Sequence, residues 1–249
     1  MDHDTQIGGR RDRFPQTHRS AVMAVRSDDP QIRERALGAL IETYWKPVYK
    51  YIRLKWSAPN EEAKDFTQGF FVEAFERGLF GRYEPALAAF RTYLRKCVDG
   101  FVANERKAAQ RQKRGGDRRF VSLDFEAVET EFRDHVTAES PEAMFDREWT
   151  RSLFRIALER LQGLCDSNGK EAHFGLFQRY DVADSVNEKR PTYDQLAAEF
   201  RIPTTQVTNH LAWARREFRR LVLDTLREIT AGEEEFREEA SRLLGIDER

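Results

Sequence analysis

The stretch Phe90–Arg114, FRTYLRKCVDGFVANERKAAQRQKR, decides how the chain is read. At about 100° per residue, Phe90, Leu94, Cys97, Val98, Phe101 and Ala108 fall on one arc of a helix. Arg95, Lys96, Arg106, Lys107, Gln110, Arg111, Lys113 and Arg114 fall on the other. One side is core and the other is cation. Acids are few on the basic arc, Asp99 being the exception and Glu105 lying towards the apolar side. The cations therefore have few partners within the helix and are available to an external polyanion, nucleic acid first among them. A solvated charged face accounts for the same pattern, so a second feature is needed to decide between the two.

Moving back towards the N-terminus, the helical pattern continues. Ala21, Val22 and Val25 mark a first helix beginning near Pro15. The break SDDP then offers Asp29 as N-cap and Pro30 at the first helical position. Leu37, Leu40, Ile41, Tyr44, Val48 and Ile52 keep helical spacing, with Pro47 expected to kink or divide the helix. Pro59 and Asn60 open another helix that buries Ala63, Phe66, Phe70, Ala74 and Phe75. Period-two alternation and hairpin turns are nearly absent. The expectation is all-α: a disordered tail over 1–14, a helical bundle over 15–115, and an acidic linker over 116–140 holding at most short helical pieces.

Towards the C-terminus, Ser140, Pro141 and Glu142 supply a cap, a first-turn proline and a dipole-matched acid. Thr192 caps TYDQLAAEF. After the turn Arg201-Ile202-Pro203, the positions Val207, Leu211, Ala214, Phe218 and Leu221 repeat at steps of four and three. That pattern is a helix-turn-helix within a second helical domain over 141–230. Away from its apolar stripe lie Thr204, Thr205, Thr208 and Asn209, suited to base edges, then Arg215, Arg216, Arg219 and Arg220, suited to phosphates. Residues 231–249 form an acidic C-terminal helical extension through Phe236, Ala240, Leu243 and Leu244.

Bulk properties bound the function. The 249 residues carry 42 basic and 43 acidic side chains, so a nucleic-acid role rests on local segregation of charge. Arg106–Arg119 and Arg215–Arg220 are basic, whereas Asp124–Glu148 and Glu228–Glu239 are mostly acidic. Two cysteines, Cys97 and Cys165, make no disulfide framework, and the five histidines have no metal-ligand spacing. Neither a metal nor a cofactor is expected. P-loop, G-x-S-x-G, H-E-x-x-H and dinucleotide fingerprints are missing, which argues against an enzyme. Without an apolar h-region or a run of about 20 apolar residues, a cytoplasmic protein with no membrane partner is expected.

Four stretches, in order, resemble bacterial RNA polymerase sigma factors of the small extracytoplasmic-function type. LIETYWKPVYKYI resembles the opening helix of the first sigma domain. DFTQGFFVEAF is similar to the segment that docks on the clamp helices of the polymerase beta-prime subunit, which implies polymerase contacts by Glu61, Glu62, Asp65 and Gln68. RYEPALAAFRTYLRKCVDGFVANERKAAQRQKR resembles the element that recognises and opens minus-ten promoter DNA, implying roles for Tyr83, Arg91, Tyr93, Arg95, Arg106, Lys107 and Arg111. TYDQLAAEFRIPTTQVTNHLAWARREFRRL resembles the minus-thirty-five reader, which also meets the beta flap. Promoter DNA and core polymerase are the implied partners, with an anti-sigma factor or a Ser/Thr kinase as candidate regulators.

Departures from the family pattern are specific. Gly69 stands where the family has Glu, and Lys64 stands at an acidic position, which weakens the expected acidic surface. Thr67, between Asp65 and Gln68, is either an ordinary helix residue or a phosphorylation site that would restore about −1.5 to −2 charges. Ala86–Ala89 lacks the Gly and Arg that usually precede Phe-Arg, and Pro203 replaces a Ser cap. Two other readings stay open: a stand-alone helix-turn-helix regulator, and a degenerate sigma-like adaptor that binds no DNA.

Overall fold

The computed structural model of the chain describes residues 20–111, 123–134, 139–183 and 190–245. Among them every regular element is helical: α1 (Ala21–Ala24), α2 (Pro30–Lys55), α3 (Asn60–Glu76), α4 (Phe90–Arg111), α5 (Phe125–Asp134), α6 (Pro141–Ser167), α7 (Glu171–Phe177), α8 (Tyr193–Phe200), α9 (Thr204–Ile229) and α10 (Glu233–Leu244). A 3-10 turn at Phe80–Arg82 precedes α4, and a π-type turn at Gln178–Val182 follows α7. The tail over 1–14 lies outside the described residues.

Local chemistry sets the helix starts. Asp29 accepts from the Gln31 N–H at 2.8 Å and the Ile32 N–H at 3.4 Å, with Pro30 at the first helical position. Ser140 accepts from the Ala143 N–H at 3.1 Å. Thr192 and Gln195 close a reciprocal capping box on α8. Pro47 lies within one continuous α2, so of the two expected outcomes it does not divide the helix. It forfeits one backbone bond, a loss offset by burial almost all round the helix, from Thr43 to Ile52.

That burial makes α2 the axis of the fold. Tyr44 meets Phe90 of α4 edge-on with ring centres 5.5 Å apart, Tyr51 meets Phe145 of α6 at 5.8 Å, and Tyr49 meets Phe125 of α5 at 5.2 Å. One core therefore joins α1–α6 with the end of α9 and with α10. It runs across the boundary expected between the two halves. Residues 125–134, within the stretch read as a linker holding short helical pieces, form a helix with Phe125 and Val128 buried. A middle cluster (Ala157, Leu161, Cys165, Phe177, Ala214, Val222) and a small one (Leu176, Leu196, Val207, Leu211) follow along α9.

The seam between α2, α5 and α6 is charged. Lys50 Nζ lies 2.7 Å from Glu148 and 3.1 Å from Glu131, and the Lys50 and Glu148 side chains are each 3% exposed. Arg151 bridges the same two acids at 2.7 and 2.9 Å. Arg53 and the Tyr49 hydroxyl both bond Glu129 of α5. A buried charge that loses its partner costs about 3–5 kcal/mol, while an apolar replacement of the whole pair is close to neutral. Arg151 keeps Glu148 partnered when Lys50 is lost, so Lys50→Met should lower unfolding stability by only about 1–3 kcal/mol in urea titrations, and Lys50→Met/Glu148→Leu should recover most of that loss.

Candidate nucleic-acid interface

The helix-turn-helix is built from the caps upward. The capping box starts α8, Arg201 in the left-handed region (φ 54°) turns the chain, and the Pro203 carbonyl accepts from the Gln206 and Val207 N–H groups at 2.8 and 3.3 Å to start α9. Pro203 thus sits at the N-cap, in place of the family's Ser, and the helix forms without a side-chain cap. Leu196 of α8 and Leu176 of α7 hold Val207 and Leu211. With that stripe inward, Thr204, Thr205, Thr208, Asn209, Arg215, Arg216 and Arg219 are all exposed.

The cations on this face differ. Arg215 makes a two-pronged pair with Asp181 at 2.8 and 2.9 Å, and that carboxylate holds its pKa above the ordinary arginine value. Arg220 is shared between Glu217 and Asp224. Arg216 and Arg219 have no ion-pair partner among the described residues, so they are the cations most available to phosphate. Thr204 is tied to Asp194 by its hydroxyl at 3.1 Å, leaving Thr205, Thr208 and Asn209 as the free hydrogen-bonding groups at the start of α9.

The second expected surface, on α4, is largely engaged. Arg91 is 6% exposed, paired with Glu239 of α10 at 3.2 Å and stacked over Trp149. Arg95 bonds Asp146 of α6 at 2.9 Å and lies over Phe145. Tyr83 is buried, its hydroxyl donating to the Ala88 carbonyl at 2.8 Å. Tyr93 donates to the Leu79 carbonyl at 2.7 Å, and burial pushes its pKa up to about 12. In this arrangement Tyr83, Arg91, Tyr93 and Arg95, which the resemblance places on DNA, are engaged within the chain: Arg91 and Arg95 with acids of α10 and α6, the two tyrosines with backbone carbonyls. Arg106 is half-buried between Glu62 and Trp56, Lys96 and Lys107 are exposed, and the Arg111 side chain lies outside the described residues. Ala108, placed on the core arc, is exposed. Asp99 accepts from Lys55, Tyr51 and Trp56, tying α4 to the end of α2.

On α3, Glu61 and Asp65 are exposed while Glu62 and Gln68 are half-buried. Glu61 is paired with Lys64 at 2.9 Å and Glu62 with Arg106 at 3.2 Å. Gly69 is buried, and Lys64 and Arg106 neutralise Glu61 and Glu62. Thr67 is fully buried, its hydroxyl donating to the Ala63 carbonyl at 2.7 Å. The phosphorylation reading is corrected accordingly: a kinase has no access to that oxygen while α3 is folded.

Two features escaped the sequence reading. His173 of α7 and His210 of α9 stack with ring centres 3.7 Å apart, each with a buried Nδ1 that has no hydrogen-bond partner. Lys170 lies 4.0 Å over Trp213 beside them. Their spacing in sequence, 37 residues apart, gave no hint of the contact. Acids of α10 meet the start of α4, which only the unpaired state of both runs could have suggested. Among the described residues no group of three or more His, Cys, Asp or Glu could hold a metal ion, and no helix is long and apolar enough to cross a membrane. Comparison with known proteins found no matching family model, curated protein or solved structure.

Titration distinguishes the two features. Burial lowers both histidine pKa values below the ordinary 6.5, with His210 and Lys170 adding to the effect on His173. Their contribution to stability is present above pH 6.5 and lost as the pH falls. Burial, helped by Glu235, Asp146 and Glu238 and opposed by Arg91, raises Glu239 from 4.5 to about 7. Its contribution is full below pH 4.5 and lost as the pH rises through about 7. The two trends oppose each other between those values. Thermal melts of Glu239→Gln should therefore rise more steeply with pH than wild type, and those of His173→Gln/His210→Gln should fall.

Proposed function

We propose that the chain is a DNA-binding transcription factor that reads duplex DNA with the start of α9 and, within that class, a promoter-specificity subunit of bacterial RNA polymerase acting in the cytoplasm. The observation that carries the DNA reading is the exposed face of α9, where short hydrogen-bonding side chains precede Arg216 and Arg219. In this reading the α9 N-terminus enters the major groove. Asn209 pairs with an adenine edge, and the methyls of Thr205 and Thr208 meet thymine or their hydroxyls meet other edges. Arg216 and Arg219 hold phosphates and set the register. The finer assignment rests on the ordered resemblance of four stretches, with Glu61 and Asp65 of α3 meeting the beta-prime clamp helices, the helix-turn-helix lobe meeting the beta flap, and Lys96, Lys107 and Arg106 facing downstream DNA. No catalytic role is assigned.

A second reading, a stand-alone helix-turn-helix regulator, is favoured by one observation: Arg91 and Arg95 are paired within the chain, so α4 offers DNA less than a promoter-opening element needs. Transcription with core polymerase on a library of upstream fragments separates the two. A specificity subunit yields transcripts from a subset of fragments and binds free DNA poorly; a regulator binds its operator tightly without polymerase and yields none.

Both readings make the same demand on α9. Arg216→Ala/Arg219→Ala should reduce the slope of log K against log salt by about 2, near 0.9 for each lost phosphate contact. Asn209→Ala should cost about 1–3 kcal/mol on the preferred sequence and little on others. Equal loss on all sequences from Asn209→Ala would remove its base-reading role.

A further inference from the structure

The C-terminal helix α10 touches the chain's second cationic surface. Glu235 accepts from the Phe90 N–H, the first residue of α4, at 2.7 Å through one oxygen, and from the Ala231 N–H at 2.7 Å through the other. One turn on, Glu239 pairs with Arg91 at 3.2 Å, and the two side chains are 5% and 6% exposed. Glu235 also faces the Tyr83 hydroxyl. Phe236 and Ala240, on the same face of α10, are buried in the main core, and Arg227 of α9 lies 3.9 Å over the Phe236 ring. Carboxylates thus occupy a helix start and a guanidinium, the two kinds of group that hold a nucleic-acid phosphate.

We propose that α10 is an intramolecular lock: docked, its Glu235 and Glu239 stand in for backbone phosphates at the start of α4 and withhold Arg91 and the Phe90 N–H from DNA; undocked, it releases them. The proposal rests on the DNA-binding reading above and assigns a regulatory role to the acidic extension. It also accounts for Arg91, which the resemblance places on the downstream DNA surface and the structure places under α10.

The contact is built to be reversible. Glu239 feels three other carboxylates, Glu235 and Glu238 of α10 and Asp146 of α6, against Arg91 at 3.2 Å and Arg242 at 3.7 Å. A buried acid with more like than unlike charge around it favours leaving, whereas the apolar contacts of Phe236 and Ala240 favour staying. A polyanion that competes for Arg91 while α10 is transiently off shifts that balance. Glu235 and Glu239 face inward, while Glu234 and Glu238 of the same helix are exposed, so charge and contact can be varied separately.

The test uses the full chain and fluorescence anisotropy with a short single-stranded DNA and its duplex. Glu235→Ala/Phe236→Ser, which removes the acceptor of the Phe90 N–H and the apolar anchor of α10, should bind single-stranded DNA at least about fivefold tighter than wild type, a modest value for a coupled site. Glu234→Ala removes the same charge away from α4 and should give no such gain, and adding Arg91→Gln to the first variant should erase it. Hydrogen exchange should show α10 and the first turn of α4 less protected in Glu235→Ala/Phe236→Ser than in wild type. Equal binding by wild type and Glu235→Ala/Phe236→Ser, an equal gain from Glu234→Ala, a gain that survives Arg91→Gln, or unchanged protection of α10 would each overturn the lock. If no form binds either DNA, and Arg216→Ala/Arg219→Ala changes nothing on duplex, the DNA-binding reading fails and takes the lock with it.

Discussion

The rest of the structure depends on the ion pair between Lys50 and Glu148, 2.7 Å apart and almost wholly out of water. A lone ammonium inside a protein is costly enough that its partner must be supplied wherever the chain places it. Glu148 comes from α6, nearly a hundred residues further on, and Glu131 from α5 joins at 3.1 Å. Satisfying Lys50 thus requires α2, α5 and α6 to meet in one register, and the aromatic contacts of Tyr44, Tyr49 and Tyr51 with Phe90, Phe125 and Phe145 fill the space around that seam. Hydrophobic burial supplies most of the driving force, while the charges restrict which arrangement satisfies it.

Charge segregation along the chain is the feature that the fold reinterprets. The acidic run from Asp124 to Glu148 and the basic helix from Phe90 look like faces for different partners when read in order. Folded, Glu129 and Glu131 go to Arg53 and Lys50, Asp146 goes to Arg95, and Glu239 goes to Arg91. Arg216 and Arg219 on α9 and Lys96 and Lys107 on α4 stay exposed and outside these pairs. Self-pairing of opposite runs reduces the nucleic-acid surface from two broad faces to a sharper one on α9 and a partial one on α4.

What could be read from sequence follows from the range of the interactions. Asp29, Ser140 and Thr192 act within a few residues, and each caps its helix as its neighbours imply. The apolar stripe Val207, Leu211 and Ala214 needs only helical periodicity, so the exposed face of α9 was legible in full. Helix α2 continues through Pro47 because the local cost is outweighed by burial against α3 and α6, which no local pattern contains. The same holds for Arg91 and Arg95: their helical position is evident in sequence, but the acids and rings that cover them arrive from α6 and α10. Thr67 sits on the buried side of α3 because Phe66 and Phe70 pull that side inward.

Helix α9 carries one more consequence. Its 26 residues run unbroken for about 39 Å. Val207 and Leu211 lie in the small cluster at one end, Ala214 and Val222 in the middle cluster, and Leu226 and Ile229 in the main core beside α10. A single stiff rod therefore passes through all three clusters and ends where α10 begins. Repacking at its tail cannot be absorbed by a hinge along its length, so it must reach the exposed threonines at the other end as a change of tilt, in the manner of a crankshaft.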